Sequence, residues 1–141
     1  MKIPELLAPV GSMEHLKVAI NAGASSIYLS GKKYGARKFA KNFTLNEINE
    51  AVNTAHLHNV KVYVTVNILA HNYDLPGVRE YLTELKELKP DALIIADPAV
   101  FMIAKEVCPE IERHVSTQAN NTNYGTYQFC WNLGASRLGT A

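Results

Sequence analysis

Short β-branched runs alternating with amphipathic helical segments place this sequence in the α/β class, as a series of parallel (β/α) repeats. Three observations carry that expectation. Strand-like runs recur at intervals long enough for a crossover helix, the segments between them carry apolar residues at helical spacing, and glycine or proline marks most joints. The 141 residues are 48% hydrophobic and 19% charged, enough apolar content for a core and too much for a disordered chain. No apolar run approaches the roughly 18 residues of a membrane span. The opening Met1-Lys2-Ile3-Pro4-Glu5 lacks the apolar stretch of a signal peptide. Cys108 and Cys130 suit a reducing compartment better than a disulfide scaffold. A cytoplasmic protein without membrane association is therefore expected.

The first strand is expected at residues 5–9, followed by Gly11 and by Ser12 as the N-cap of a helix bearing Leu16, Ala19 and Ile20 on one face. Gly23 ends that helix as a C′ glycine, and residues 26–30 form the second strand. Thr44 and Glu47 have capping-box spacing, opening a helix with Leu45, Ile48, Val52 and Ala55 on its apolar stripe. Residues 61–66 are the clearest strand. A third helix follows over 76–88, and residues 92–96, apolar on both faces, read as a central parallel strand. Asp97-Pro98 opens a fourth helix with Val100, Ile103, Ala104 and Val107 inward. A weaker strand over 113–116 leads to a fifth helix at 123–133, with Tyr127, Cys130 and Trp131 on one side, and residues 136–138 begin a sixth strand. Asn21-Ala22-Gly23-Ala24-Ser25 and Asn132-Leu133-Gly134-Ala135-Ser136 share a pattern at the same point of their units, which implies a common structural role at a helix stop.

Alternation of this kind leaves two architectures, a doubly wound sheet and a (β/α)8 barrel. Five full units and the start of a sixth are present, whereas a barrel needs eight units and about 250 residues. If it is a barrel, closure lies beyond these residues, and an open parallel edge capable of self-association is expected.

In both architectures functional residues gather after the carboxyl ends of the strands. That rule selects Pro9, Gly11 and Ser12; then Gly31, Lys32, Lys33, Tyr34 and Arg37; then Asn67, His71 and Asn72; then Asp97; and last Thr117, Gln118, Asn120, Asn121, Thr122 and Asn123. The last group is polar and uncharged, able to orient a small polar substrate or a base edge, or equally an Asn-rich loop with an N-cap at Thr122. His71 and Asp97 follow neighbouring strands and are weak candidates for a proton-transfer pair.

The net charge of +1 hides a local contrast. Lys32, Lys33, Arg37, Lys38 and Lys41 place five of 14 cations within ten positions, leaving nine cations against 13 anions elsewhere, a net of −4. Tyr34, Phe39 and Phe43 interleave with them, a mixture that binds phosphates and stacks bases, although such runs are also plain solvated surface. The loop over 31–43 is thus a candidate contact for RNA or an anionic metabolite. The chain has no G-x-S-x-G, H-E-x-x-H, C-x-x-C or Walker lysine loop. His56 and His58, two apart on a helix, do not share a face, so no metal site is expected from them. Cys108 and Cys130 read as small core residues.

Pro4-Glu5-Leu6-Leu7-Ala8-Pro9-Val10-Gly11-Ser12, Phe39-Ala40-Lys41-Asn42-Phe43-Thr44, Val62-Tyr63-Val64-Thr65-Val66-Asn67 with His71-Asn72, Asp91-Ala92-Leu93-Ile94 with Asp97-Pro98, and His114-Val115-Ser116-Thr117-Gln118-Ala119-Asn120 with Thr122-Asn123 together resemble the amino-terminal part of the peptidase U32 family, also called collagenase-like proteases. The resemblance runs collinearly over residues 3–137. It implies an incomplete TIM-like barrel of five to six βα units, with residues 1–141 as its amino-terminal part. It also implies either a peptidase or a protein of tRNA or rRNA base hydroxylation, a branch associated with prephenate. Some members carry an iron–sulfur cluster, but the cysteine segment that would hold it has no counterpart in this chain. The closing Leu138-Gly139-Thr140-Ala141 departs from the family's pattern. The expected activity is RNA hydroxylation, with proteolysis and a non-catalytic binding fragment as alternatives. Lys33, Arg37, Asn67, His71, Asn72, Gln118, Asn120 and Asn123 are the expected substrate contacts.

Overall fold

The structure is a computed structural model that describes residues 3–37 and 42–140. Side chains set most helix starts. Ser12 Oγ accepts the His15 N–H at 3.2 Å to open α1 (Met13–Asn21). The capping box closes as the sequence implies: Thr44 Oγ1 accepts from Glu47 N at 3.1 Å and Glu47 Oε1 from Thr44 N at 3.0 Å, opening α2 (Leu45–Leu57). Helix α3 (Leu75–Leu88) carries Pro76 in its first turn and stops at Lys89, whose φ is 54°. Asp97 caps α4 (Pro98–Val107). For α5 (Tyr124–Asn132) the cap is Asn123, with Oδ1 accepting from Thr126 N at 2.9 Å, one residue later than the alternative at Thr122. The paired glycines share one role. Gly23 and Gly134, at φ 90° and 101°, follow the C-caps of α1 and α5, and the alanine after each is buried.

Six strands, β1 (Leu7–Pro9), β2 (Ser26–Ser30), β3 (Lys61–Val66), β4 (Ala92–Ile95), β5 (Glu112–Val115) and β6 (Arg137–Leu138), pair in parallel in the order β1-β2-β3-β4-β5-β6. Each strand is laid one position further in the same direction. Right-handed crossovers then put every helix on one face, whereas a doubly wound sheet must reverse its order to cover both. The sheet therefore curls into a half-barrel with helices outside, and the doubly wound alternative is excluded. Among the described residues β1 and β6 form its two edges. Among the described residues no helix is long and apolar enough to cross a membrane.

Outward strand residues Ile27, Leu29, Val62, Val64, Val66, Leu93 and Ile95 are buried with Leu16, Ile48, Val52, Leu82 and Leu85 from the helices. Full burial of each such side chain contributes about 1.5–3 kcal/mol. Phe101 joins Val100 and Ala104 on the buried face of α4, while Ile103 and Val107 are only partly covered. None of the residues of helix α5 is fully buried: of the three expected on one side of it, Tyr127 and Cys130 are half-buried and Trp131 is exposed. Helix α5 lies against the two-residue β6 at the sheet's edge, where there is less to bury against.

Candidate functional site

Strand residues that do not face the helices face the concave side, and there the sequence alternates. β2 reads Ser-Ile-Tyr-Leu-Ser and β3 reads Lys-Val-Tyr-Val-Thr-Val, so every second residue presents a polar or aromatic side chain inward. Tyr28, Ser30, Tyr63, Thr65, Ile94 and His114 thereby line a cavity of about 690 Å³. That volume falls within the roughly 300–1,000 Å³ of small-molecule sites.

The end of the cavity near the strand amino termini is closed by an ionic network. Arg137 Nη2 lies 2.5 Å from Glu5 Oε2, and Glu5 Oε1 accepts from Ser26 Oγ and Tyr63 Oη, each at 2.5 Å. The Arg137 guanidinium also sits 5.4 Å from the Tyr63 ring centre, and His114 meets that ring edge-on at 4.7 Å. Burial raises the Glu5 pKa, but the hydrogen bonds from Ser26, Tyr63 and Arg137, with the positive charge of Arg137, outweigh it and bring the carboxyl down to about 2. Burial and then the Glu5 hydrogen bond push the Tyr63 hydroxyl up to about 12. Burial also lowers the His114 pKa, against the opposing bond to Glu112, so the 3.2 Å Nε2 to Glu112 Oε2 contact is a hydrogen bond of a neutral imidazole at pH 7.

Toward the strand carboxyl ends the lining becomes neutral and hydrogen-bonding. Ser30 and Thr65 share a 2.5 Å hydrogen bond, and Asn67, Ser116, Gln118 and the Arg37 side chain complete the mouth. Asn67 Oδ1 accepts from Ala36 N at 2.9 Å, tying the loop after β2 to the loop after β3. A second groove of about 640 Å³ adjoins the first, with Asn67 and Gln118 lining both. Lys33 and His71 line this groove.

Lys33, Arg37, Asn67, His71 and Gln118 therefore converge on two connected openings. The other expected contacts have different surroundings. Asn72 is exposed at the start of a 3-10 turn (Asn72–Asp74), and its carbonyl accepts from Leu75 N. Asn120 takes a left-handed φ of 57° after the turn Thr117–Ala119, outside the lining of both openings. The Asn123 side-chain oxygen Oδ1 is engaged in capping α5, accepting from Thr126 N. Asp97 Oδ1 accepts from Ala99 N at 2.8 Å and Val100 N at 3.3 Å, and its Oδ2 from Ala70 N at 3.0 Å. Its hydrogen bonds among the described residues are all to backbone, and the His71 ring stacks on Tyr73 instead.

In the basic loop Lys32, Lys33 and Arg37 are exposed, while Lys38, Phe39 and Lys41 lie outside the described residues. Phe43 is not available for base stacking. It is buried, and its backbone bonds to Ser30 and Lys32 anchor the loop to the sheet. The Tyr34 ring packs on Tyr81, 5.5 Å between centres. The residues missed by reading the sequence are Glu5, Tyr28, Ser30, Tyr63, Thr65, His114 and Arg137. For Tyr28, Ser30, Tyr63 and Thr65 the signal was the period-two polarity within β2 and β3, which a strand with one solvated or ligand-filled face requires; Glu5, His114 and Arg137 lie outside those strands and carried no such signal.

The cysteines do not suit a metal cluster. Cys108 is buried among the helices, where burial and then Glu110 push its thiol up to about 11, and Cys130 lies on α5. Among the described residues no three His, Cys, Asp or Glu side chains converge as metal ligands.

The profile of peptidase family U32 matches residues 11–141. The chain belongs to that family. It is 41% identical over 137 residues to tRNA hydroxylation protein P1 of Bacillus subtilis, covering 97% of this chain and 32% of that protein. Against tRNA hydroxylation protein P of Escherichia coli it is 36% identical over 135 residues, covering 96% and 30%. A collagenase of Porphyromonas gingivalis is 35% identical over 127 residues, covering 89% and 30%. The chain thus spans about a third of the length of these U32 relatives. A solved U32 peptidase superposes with a TM-score of 0.78 at 18% identity, covering 99% of this chain and 59% of that one. Deoxyribose phosphate aldolase from Aeropyrum pernix gives 0.69 at 14% identity, covering 96% and 63%, a likeness of fold.

Proposed function

We propose that this U32 chain forms the substrate-binding half-barrel of a cytoplasmic tRNA base-hydroxylation protein. Its cavity would hold the target base or an anionic metabolite such as prephenate, and the loop over 31–43 would contact the RNA backbone. The carrying observation is the cavity mouth, where neutral donors and acceptors from Ser30, Thr65, Asn67, Ser116 and Gln118 meet the cation of Arg37. That set can read the polar edge of a base or a carboxylate without supplying a nucleophile. The names of the B. subtilis and E. coli relatives agree with the RNA reading.

Proteolysis is the second reading, favoured by the similarity to the P. gingivalis collagenase. The hydroxyls best placed for attack are otherwise engaged: Ser12 caps α1, Ser116 Oγ accepts from Gln118 N at 3.2 Å, and Ser30 pairs with Thr65. Mass spectrometry of tRNA nucleosides from cells lacking the gene separates the readings. Loss of a hydroxylated nucleoside is expected, and an unchanged profile would refute the proposal. Gelatin cleavage by the purified protein, abolished by substitution within the cavity, would support the peptidase instead.

A further inference from the structure

The loop between β3 and α3 holds large apolar side chains in water. Leu69 is 71% exposed and Tyr73 is 81% exposed, and the His71 and Tyr73 rings lie nearly parallel, 15° apart with centres at 5.4 Å. This loop is braced. The His71 N–H donates to Asp74 Oδ2 at 2.8 Å, Asp74 N to His71 O at 2.9 Å, Ile68 N to Tyr34 O at 3.3 Å, and Ala70 N to Asp97. The stacked rings are therefore presented on a fixed support, with little ordering required on binding.

The groove beside them carries Lys33 on its opposite loop, and it adjoins at Asn67 and Gln118 the main cavity that Arg37 lines. An exposed aromatic face across a groove from a lysine, with an arginine lining the adjoining cavity, matches single-stranded nucleic acid, whose bases stack while its phosphates seek positive charge. We propose that His71 and Tyr73 form a stacking platform for an unpaired RNA base adjoining the one presented to the cavity. This rests on the RNA reading above, and it makes Tyr73 a binding residue.

Fluorescence anisotropy with labelled octauridylate, an abasic strand of equal length and an unmodified tRNA tests it, using the full-length protein. Tyr73→Ala should weaken octauridylate binding by about 5- to 150-fold, the range for one stacked base. Tyr73→Phe should retain affinity, because the ring face is kept. The slope of affinity against salt should stay unchanged in Tyr73→Ala and fall in Lys33→Glu, since only the lysine neutralises phosphate. Tyr73 is exposed, so circular dichroism should report an intact fold in both tyrosine variants. Undiminished affinity in Tyr73→Ala, or an equal loss on the abasic strand, would overturn the platform and leave the RNA reading standing. Absence of tRNA and octauridylate binding by the wild type would overturn both. Tyr73-dependent binding of extended peptides in place of RNA would reassign the groove to a peptide.

Discussion

Replacing Asp97 separates a structural role from a catalytic one. Its carboxylate joins two elements: Oδ1 caps α4 through Ala99 and Val100, and Oδ2 holds Ala70, the residue before His71. Loss of an N-cap to alanine costs about 0.5–2 kcal/mol. A hydrogen bond to a charged acceptor contributes about 1.5–3 kcal/mol, and the lower end applies to a half-buried group in contact with water. Asp97→Ala should therefore destabilise the protein by about 2–3 kcal/mol, moving a urea midpoint by about 1 M or more. Asp97→Asn keeps a good cap and one acceptor, so about 1 kcal/mol is expected. Urea unfolding followed by circular dichroism measures both. If Asp97→Ala unfolds with the wild type, the clamp is wrong; if Asp97→Asn abolishes activity at unchanged stability, Asp97 returns as a proton-transfer residue.

Gly31 and Tyr81 form a second test. A Cβ at Gly31 would overlap Tyr81 Oη and lie 3.2 Å from its Cζ, while that buried hydroxyl has no hydrogen-bond partner among the described residues. Gly31→Ala should cost about 1–3 kcal/mol by overpacking. Tyr81→Phe should be neutral or stabilising, and the double variant should regain most of the loss; additive effects in a double-mutant cycle would contradict this. Glu5 gives a pH signature. Its folded pKa of about 2 lies below the ordinary 4.5, so its contribution is present above 4.5 and is lost as pH falls through the folded value. The stability gap between wild type and Glu5→Gln should shrink from pH 7 toward pH 2, and a constant gap in thermal unfolding would remove Glu5 from the network. Lys33→Glu with Arg37→Glu should weaken tRNA binding most at low salt, and equal affinity at 50 mM salt would leave both as plain surface.

Local signals were legible where the cause is local. Thr44 and Glu47 lie three apart and satisfy each other's backbone, and β3 spans 61–66 as its residues imply. Gly23 and Gly134 stop their helices because both need positive φ. The cavity was less legible. Glu5 meets Tyr63 across 58 positions and also meets Arg137, contacts that arise only when β1, β3 and β6 are arranged around one concave face. Phe43 shows the same limit: the basic loop places it among aromatic residues able to stack on bases, and the folded chain buries it.

By itself, then, the amino-acid sequence determined the α/β class, the caps and stops, the resemblance to U32 proteins, and a cluster of cations near the carboxyl end of β2. Propensity, spacing and capping act within a few residues, so these are readable in one dimension. Tertiary structure alone decided that the strands run in unbroken order, that the helices share one face, and that the polar half of β2 and β3 faces a cavity. It also turned Asp97 toward backbone amides and left Tyr73 in water beside His71. Those outcomes depend on which distant groups compete for the same hydrogen bonds and buried surface, and that competition exists only in the folded chain.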